Sequence, residues 1–310
     1  MNKIAPYRKF IASLLTFWIP IKKYRRALRG IFMIGVFNYL HIVKQDKVYK
    51  FKNTLSIGAI MKDEGPYLKE WLDFHILVGV DKFYLYDNGS TDNTVDILAP
   101  YIERGVVEYT NFPGKTMQLL AYIDCINKHK TDTRWIALID LDEFIVPVQH
   151  KTIPEFLYTL PLNFAQLVIA WIIYGSSGHK TKPDGLVIEN FKYHAKKSWG
   201  IKSIINPRLV IEMTNPHANL VAGSTIDETG KRRGKIDQDK NPPTCNKVRI
   251  NHYVTKSYEE MMKRCAKGDA CEKDLNNSGK TNAQRRFEFH DKNDVFDTIM
   301  DKYINKIKKM

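Results

Sequence analysis

Four short apolar runs between residues 55 and 139 alternate with segments of helical period, and that alternation leaves few folds open. Leu55–Met61, Lys82–Tyr86, Val106–Phe112 and Trp135–Ile139 read as strands. After Pro66, the residues Leu68, Trp71, Leu72, His75 and Val78 keep helical spacing up to a stop at Gly79. A second helix runs through Val95, Leu98 and Ile102 to Gly105, and a third occupies Lys115 to Lys130. Strands alternating with helices of this length predict an α/β chain, Rossmann-like, with a mostly parallel sheet and helices on both faces. Beyond Phe144 the pattern becomes β-rich and irregular, with strand-like runs at Leu167–Tyr174, Leu186–Tyr193 and Ile201–Met213. Asp227–Lys247 reads as a mobile surface loop. Ser257-x-x-Glu260 is a capping box that opens a helix through Cys265, and Val295–Met310 reads as a basic amphipathic helix. No internal repeat is present. The expected division is a basic, apolar N-terminal segment (1–50), a catalytic domain (51–256) and a helical C-terminal segment (257–310).

Charge is unevenly placed. Residues 1–50 hold eleven Lys or Arg against the single Asp46, a net +10 of the chain's +14. Phe10–Ile21 is apolar but too short to cross a hydrocarbon core about 30 Å thick. Lys22-Lys23-Tyr24-Arg25-Arg26 follows at once, where a secretory signal would carry small residues, and Ile31–Leu40 is a second apolar run. Interleaved apolar and basic stretches predict in-plane association with an anionic membrane surface, peripheral on the cytoplasmic, inner face of the plasma membrane. Two other readings stand beside it: helices packed on the domain with their cations in solvent, and a re-entrant or spanning segment. Nucleic acid is excluded as a partner, because the basic residues concentrate in an apolar-interleaved tail rather than on a globular face. Cys125, Cys245, Cys265 and Cys271 contain no Cys-x-x-Cys pair, which suits a reducing cytosol and argues against a zinc site.

The strand Trp135–Ile139 runs into Asp140-Leu141-Asp142-Glu143-Phe144. On extended backbone, residues two apart point the same way, so Asp140 and Asp142 would converge outside the strand's carboxyl end while Leu141 stays packed. Ligands bind at that edge in open α/β sheets, and Mg²⁺ or Mn²⁺ wants paired carboxylates plus substrate phosphates. Structural acid pairs are the alternative for this common spacing. Neither Gly-x-Gly-x-x-Gly nor a Walker loop occurs.

Asp63-Glu64 with Tyr67, Leu68 and Trp71, then Tyr86 to Thr94, then Asp140 to Phe144, together resemble glycosyltransferase family 2 and family 92-like enzymes of the GT-A fold. Tyr174 to His179, Ile201 to Ile204 and Asn251-His252-Tyr253 continue the family 92-like pattern, and the resemblance covers roughly residues 55–265. It departs from family 2 at Asp87-Asn88, which replaces an Asp pair, and it lacks the Gln-x-x-Arg-Trp acceptor motif.

The resemblance implies a transferase moving a sugar from a nucleotide-diphospho-sugar, UDP-sugars first, to a glycan or lipid-linked acceptor. The reaction would be metal-dependent and inverting, in surface polysaccharide or lipopolysaccharide synthesis. Asp140 and Asp142 would bind the Mn²⁺ or Mg²⁺ ion and the diphosphate. Asp87 would bind the nucleoside, with Asp63 and Glu64 in the nucleotide loop, although Asp63 could equally cap the next helix. Glu143 would either cap the following turn or touch the donor sugar. His252 would be a third metal ligand or a structural histidine, with His217 and His179 weaker candidates. Lys202 and Lys256 would pair with the diphosphate or lie in solvent, and Trp171 would be core or a platform under a sugar. The acceptor's base would be Glu189, ahead of Asp184 and Glu212. A membrane-associated nucleotide-sugar-binding scaffold and a nucleotidyltransferase are the rival readings. Intact Asp140 and Asp142 argue against the first, and the lack of a glycine-rich phosphate loop near Ile57-Gly58-Ala59-Ile60 argues against the second.

Overall fold

The computed structural model describes residues 4–161, 163–198, 200–234, 243–266 and 282–310. Three helices come first: α1 (Pro6–Thr16), α2 (Lys22–Ile34) and α3 (Val36–Val48). The predicted alternation follows as β1 (Asn53–Met61), α4 (Gly65–Leu77), β2 (Lys82–Asp87), α5 (Thr94–Glu103), β3 (Val107–Asn111), α6 (Gln118–His129) and β4 (Thr133–Leu138). The second half holds β5 (Glu143–Pro147), α7 (Ile153–Tyr158), β6 (Phe164–Ile173), α8 (Val187–Asn190), β7 (Tyr193–His194) and β8 (Ile201–Ile205). Short strands β9 (Val210–Glu212), β10 (Leu220–Val221) and β11 (Ser224–Ile226) precede β12 (Val248–His252). The chain closes with α9 (Tyr258–Ala266), α10 (Asn282–His290), β13 (Val295–Phe296) and α11 (Asp301–Ile307).

Nine strands form one sheet in the order β3-β2-β1-β4-β8-β6-β12-β5, with β11 beside β6. The β3-β2-β1-β4 half is parallel, and β8 enters antiparallel between β4 and β6. Strand order reverses at β1, between β2 and β4, which is the switch point where such sheets bind ligands. Period-two alternation sends Phe83, Leu85, Trp135 and Ala137 to a core covered by α4, α5, α7 and α11. Tyr84, Tyr86, Ile136 and Leu138 point to a second core under α6, α1 and α2. The sheet therefore carries helices on both faces.

Both terminal segments are built into these cores. Met33 and Ala12 pack with Val221, Ala222 and Leu209, and a Cβ on Gly30 would lie 2.2 Å from the Val221 carbonyl oxygen. Asp46 is buried and accepts a hydrogen bond from Arg208 Nε at 2.7 Å. Tyr303 and Ile307 of α11 join the main core. Residue 50 thus divides the chain in sequence but not in packing.

Three local expectations change. Leu186–Tyr193 is the helical turn α8 rather than a strand, because Glu70 accepts the Val187 and Ile188 N–H groups and caps it. Ile201–Met213 breaks at the 3-10 turn Pro207–Leu209, and Val295–Met310 contains a short strand before its helix. Of the loop expected at Asp227–Lys247, residues 235–242 lie outside the described residues, as does Cys271; Cys125, Cys245 and Cys265 are free thiols.

Candidate active site

The segment after β4 is a turn, not extended chain: the Glu143 N–H donates to the Asp140 carbonyl at 3.1 Å. Convergence of Asp140 and Asp142 required extended backbone, so the turn changes which acids meet. Asp142 and Glu143 come together instead, joined by His252, with one donor atom of each within 4.8 Å of the others. Sheet register makes this possible. β12 pairs antiparallel with β5, and His252 lies directly opposite Glu143. The Tyr253 N–H donates to the Asp142 carbonyl at 2.8 Å and fixes the same junction.

Asp140 is held apart by donors. Its Oδ2 accepts from Lys202 Nζ at 2.8 Å, and its Oδ1 from Gln118 Nε2 and Tyr122 at 2.9 and 3.0 Å. Lys202 is fully buried on β8, with its ammonium 3.7 Å from Glu143 as well. It is therefore neither in solvent nor open to a diphosphate: two carboxylates hold it. Burial is the largest influence on Asp140 and would raise it, but the Lys202 charge, its hydrogen bond and His252 together keep that carboxyl below its usual value. Burial pushes Glu143 well up, with Asp140 and Asp142 adding to the rise against the pull of Lys202. Glu143 Oε2 accepts the Asp140 N–H at 3.0 Å, which caps the turn.

Asp142 contacts Arg264 of α9 through Oδ2 and lies 3.4 Å from His252 Nε2 through Oδ1. Burial is the largest influence on this carboxyl and would raise it, yet Arg264, His252 and Lys256 together hold it well below the usual range. Glu143 Oε1, His252 Nδ1 and Trp171 Nε1 are among the buried polar atoms without a hydrogen-bond partner in the described residues. Trp171 packs its ring 4.6 Å from His252 and 5.2 Å from His217. Gly200 is obligatory beneath it, since a Cβ there would sit 2.0 Å from the indole at a φ of +83°. His217 faces the Ile201 carbonyl at 3.1 Å.

Asp87 is buried at the end of β2, where its carboxylate accepts from Ser90 through Oδ1 and from Tyr109 through Oδ2. Asp63, in the left-handed region at φ +51°, accepts from the Thr91 N–H at 2.7 Å. Asp92, rather than Asp63, caps α4 by accepting the Gly65 N–H at 3.0 Å. These contacts zip together the loops after β1 and β2. Asp63 and Glu64 then line a cavity of about 200 Å³ whose opposite wall carries Lys182, Lys256, Lys263 and Arg264. Lys256 and Lys182 both stack on Tyr67, at 3.9 and 5.0 Å from the ring centre. His179 lines a second cavity with Ser176, Tyr258 and Asp291.

Glu189 is half-buried on α8 and ion-paired with Lys308 at 2.7 Å. It lines neither of these cavities. A carboxylate bound to a surface ammonium is poorly placed to take a proton from an acceptor, so the base expectation gains no geometric support. Arg264 was missed at the level of sequence. The capping box at Ser257–Glu260 pointed to its helix, and Arg264 sits one turn beyond Glu260 on the same face.

The family model described as "Glycosyltransferase family 92" matches residues 61–293, a span containing every residue of this acidic cluster. The chain belongs to glycosyltransferase family 92. A family 92 protein from Oryza sativa subsp. japonica is 23% identical over 211 residues, covering 67% of this chain and 34% of the rice protein. A galactan beta-1,4-galactosyltransferase from Arabidopsis thaliana is 27% identical over 112 residues, covering 33% of this chain and 21% of its own length. The S. aureus TarS 1–349 structure in complex with UDP overlaps 42% of this chain and 38% of its own at 13% identity, with a TM-score of 0.31. This family 92 chain spans about a third or less of the length of the curated relatives it matches.

Proposed function

We propose that this chain transfers a sugar from a nucleotide-diphospho-sugar to a glycan or lipid-linked acceptor, with a divalent cation bound by Asp142, Glu143 and His252. One observation carries the reading. Asp142, Glu143 and His252 each offer a ligand atom within 4.8 Å of the others beside the carboxyl end of β4, and Glu143 Oε1 and His252 Nδ1 are buried without hydrogen-bond partners. A buried polar atom left unpaired costs roughly 1–3 kcal/mol, and two oxygens with an imidazole nitrogen suit Mn²⁺ or Mg²⁺. Such an ion, when bound, neutralises charge on a leaving diphosphate.

The chain's own groups supply the rest. Lys256, Lys182 and Arg264 line the cavity beside the cluster and would hold the diphosphate, while Lys202 keeps Asp140 ionised and in place. The loops joined through Asp63, Asp87 and Ser90 would form the floor of the nucleoside site. Family membership supports sugar transfer, and the galactan-synthesising relative supports a glycan acceptor, with UDP-galactose the first donor to try.

A second reading rests on Arg264. Its guanidinium already neutralises Asp142, so donor binding or transfer could run without a metal. Calorimetry with UDP in Mn²⁺ and in EDTA, followed by a panel of nucleotide sugars, separates the two. Tight Mn²⁺-dependent binding supports the first reading. Equal binding in EDTA supports the second, and no binding of any nucleotide overturns both.

A further inference from the structure

The N-terminal helices present a face that the transfer reaction does not use. α1 turns Ala12 and Thr16 inward and leaves Phe10 and Leu14 exposed, at 65% and 53%, and Phe17 and Trp18 just beyond its end are each 68% exposed. Scattered exposed apolar residues are ordinary, but four large ones on nine residues form a patch that calls for a partner. Lys22, Lys23, Arg25 and Arg26 follow directly on α2. Below that turn lies a cavity of about 570 Å³ walled by Lys23, Tyr24, Lys231, Arg232 and Arg233, with Arg232 stacked 5.2 Å over the Tyr24 ring. Among the described residues, Asp227 is its one acidic wall residue, 3.5 Å from Arg233.

We propose that this face docks on an anionic phospholipid bilayer, with α1 lying in the interface plane and the basic cavity taking a lipid phosphate. Three features select this occupant. Aromatic and aliphatic side chains bordered by cations are the pattern that combines acyl-chain burial with attraction to anionic headgroups. A second copy of the chain would bring the same cations against each other, which is repulsive. Insertion across the bilayer conflicts with the packing. Among the described residues no single helix is long and apolar enough to cross a membrane; α2 and α3 qualify only together, bent by 97°, and Ala27, Gly30, Met33 and Asp46 on them are buried against the sheet domain. Because α2 and α3 are fixed to the sheet, docking would hold the acidic cluster at a set height and tilt above the lipid. The inference is independent of the transfer reaction.

Sedimentation of the full chain with phosphatidylcholine vesicles, with and without phosphatidylglycerol, tests it. The chain should pellet with the anionic vesicles and not with the neutral ones. Phe17→Ser with Trp18→Ser should weaken that binding about tenfold or more, and Lys231→Glu with Arg232→Glu should remove the anionic preference. Among the described residues Phe17 and Lys231 make no side-chain hydrogen bond or ion pair, Trp18 loses its indole N–H bond to the Leu15 carbonyl at 2.9 Å, and Arg232 loses its stack on Tyr24. Failure to pellet with either vesicle, equal pelleting with both, or wild-type binding by both double variants would overturn the proposal. So would a dimer in vesicle-free solution that Trp18→Ser dissolves.

Discussion

His252 and Glu143 face each other across the antiparallel β12–β5 pair, and each keeps one buried atom without a partner. Adjacent Asp142 completes a donor set assembled from two strands that are far apart in sequence. The cluster is therefore a product of sheet register, and a one-residue slip of β12 would turn His252 to the opposite face.

Asp142→Asn and His252→Ala should each reduce transfer by more than about 100-fold and weaken Mn²⁺ binding, as expected for lost metal ligands. Calorimetric metal titration alongside a turnover assay checks this. Wild-type metal affinity in both variants would remove the assignment.

Lys202→Met should be destabilising by about 1–3 kcal/mol, because the half-buried Asp140 would keep its negative charge without the ammonium that balances it. Asp140→Asn in the same background should recover part of the loss. Urea denaturation of the single and double variants gives the comparison; equal midpoints would mean the buried pair is not coupled.

Stability against pH holds two opposed contributions. His75 is fully buried, donates from Nδ1 to the Trp71 carbonyl and accepts the Ile145 N–H at Nε2; burial pulls it down to about 3. The unfolded chain protonates first, so this contribution is present above about 6.5 and is lost as pH falls. Burial raises Glu70 to about 7 against its two backbone donors, so the folded chain protonates first and stability falls as pH rises from about 4.5 to 7. Between about 4.5 and 6.5 the two slopes cancel. His75→Gln should leave a chain that gains about 1.4 kcal/mol per unit on acidification, and Glu70→Gln one that loses as much. Urea midpoints across that window should diverge in these opposite directions.

Asp46→Ala should cost about 3 kcal/mol or more, since Arg208 would keep a buried charge without its carboxylate. Removal of residues 1–50 should be worse, exposing Val221, Ala222 and Leu209 as well. Light scattering and thermal melting of both variants test this; a soluble, fully stable truncated chain would show the N-terminal helices to be dispensable to the fold.

The parallel half of the sheet was legible because strand and helix periods alternate cleanly up to Leu138. Asp142 and His252 were legible too, as an acidic strand end and a histidine closing a later strand. Glu143's place beside them was not, because a turn hydrogen bond between Glu143 and Asp140 replaces the extended geometry that the Asp-x-Asp spacing suggested. Lys202 read as a solvent or phosphate lysine because nothing local announces that β8 inserts between β4 and β6. Leu186–Tyr193 read as a strand because its helical turn depends on Glu70, more than a hundred residues upstream.

Among the described residues, β5 is joined to the main sheet only through β12. Asp142 and Glu143 are thus made long before the strand that fastens them arrives. A nascent chain released short of Asn251 has its acids but no closed edge on which to hold them. Such a fragment could be compact and still chemically blank, because the site is completed only when the last long strand is laid into the sheet.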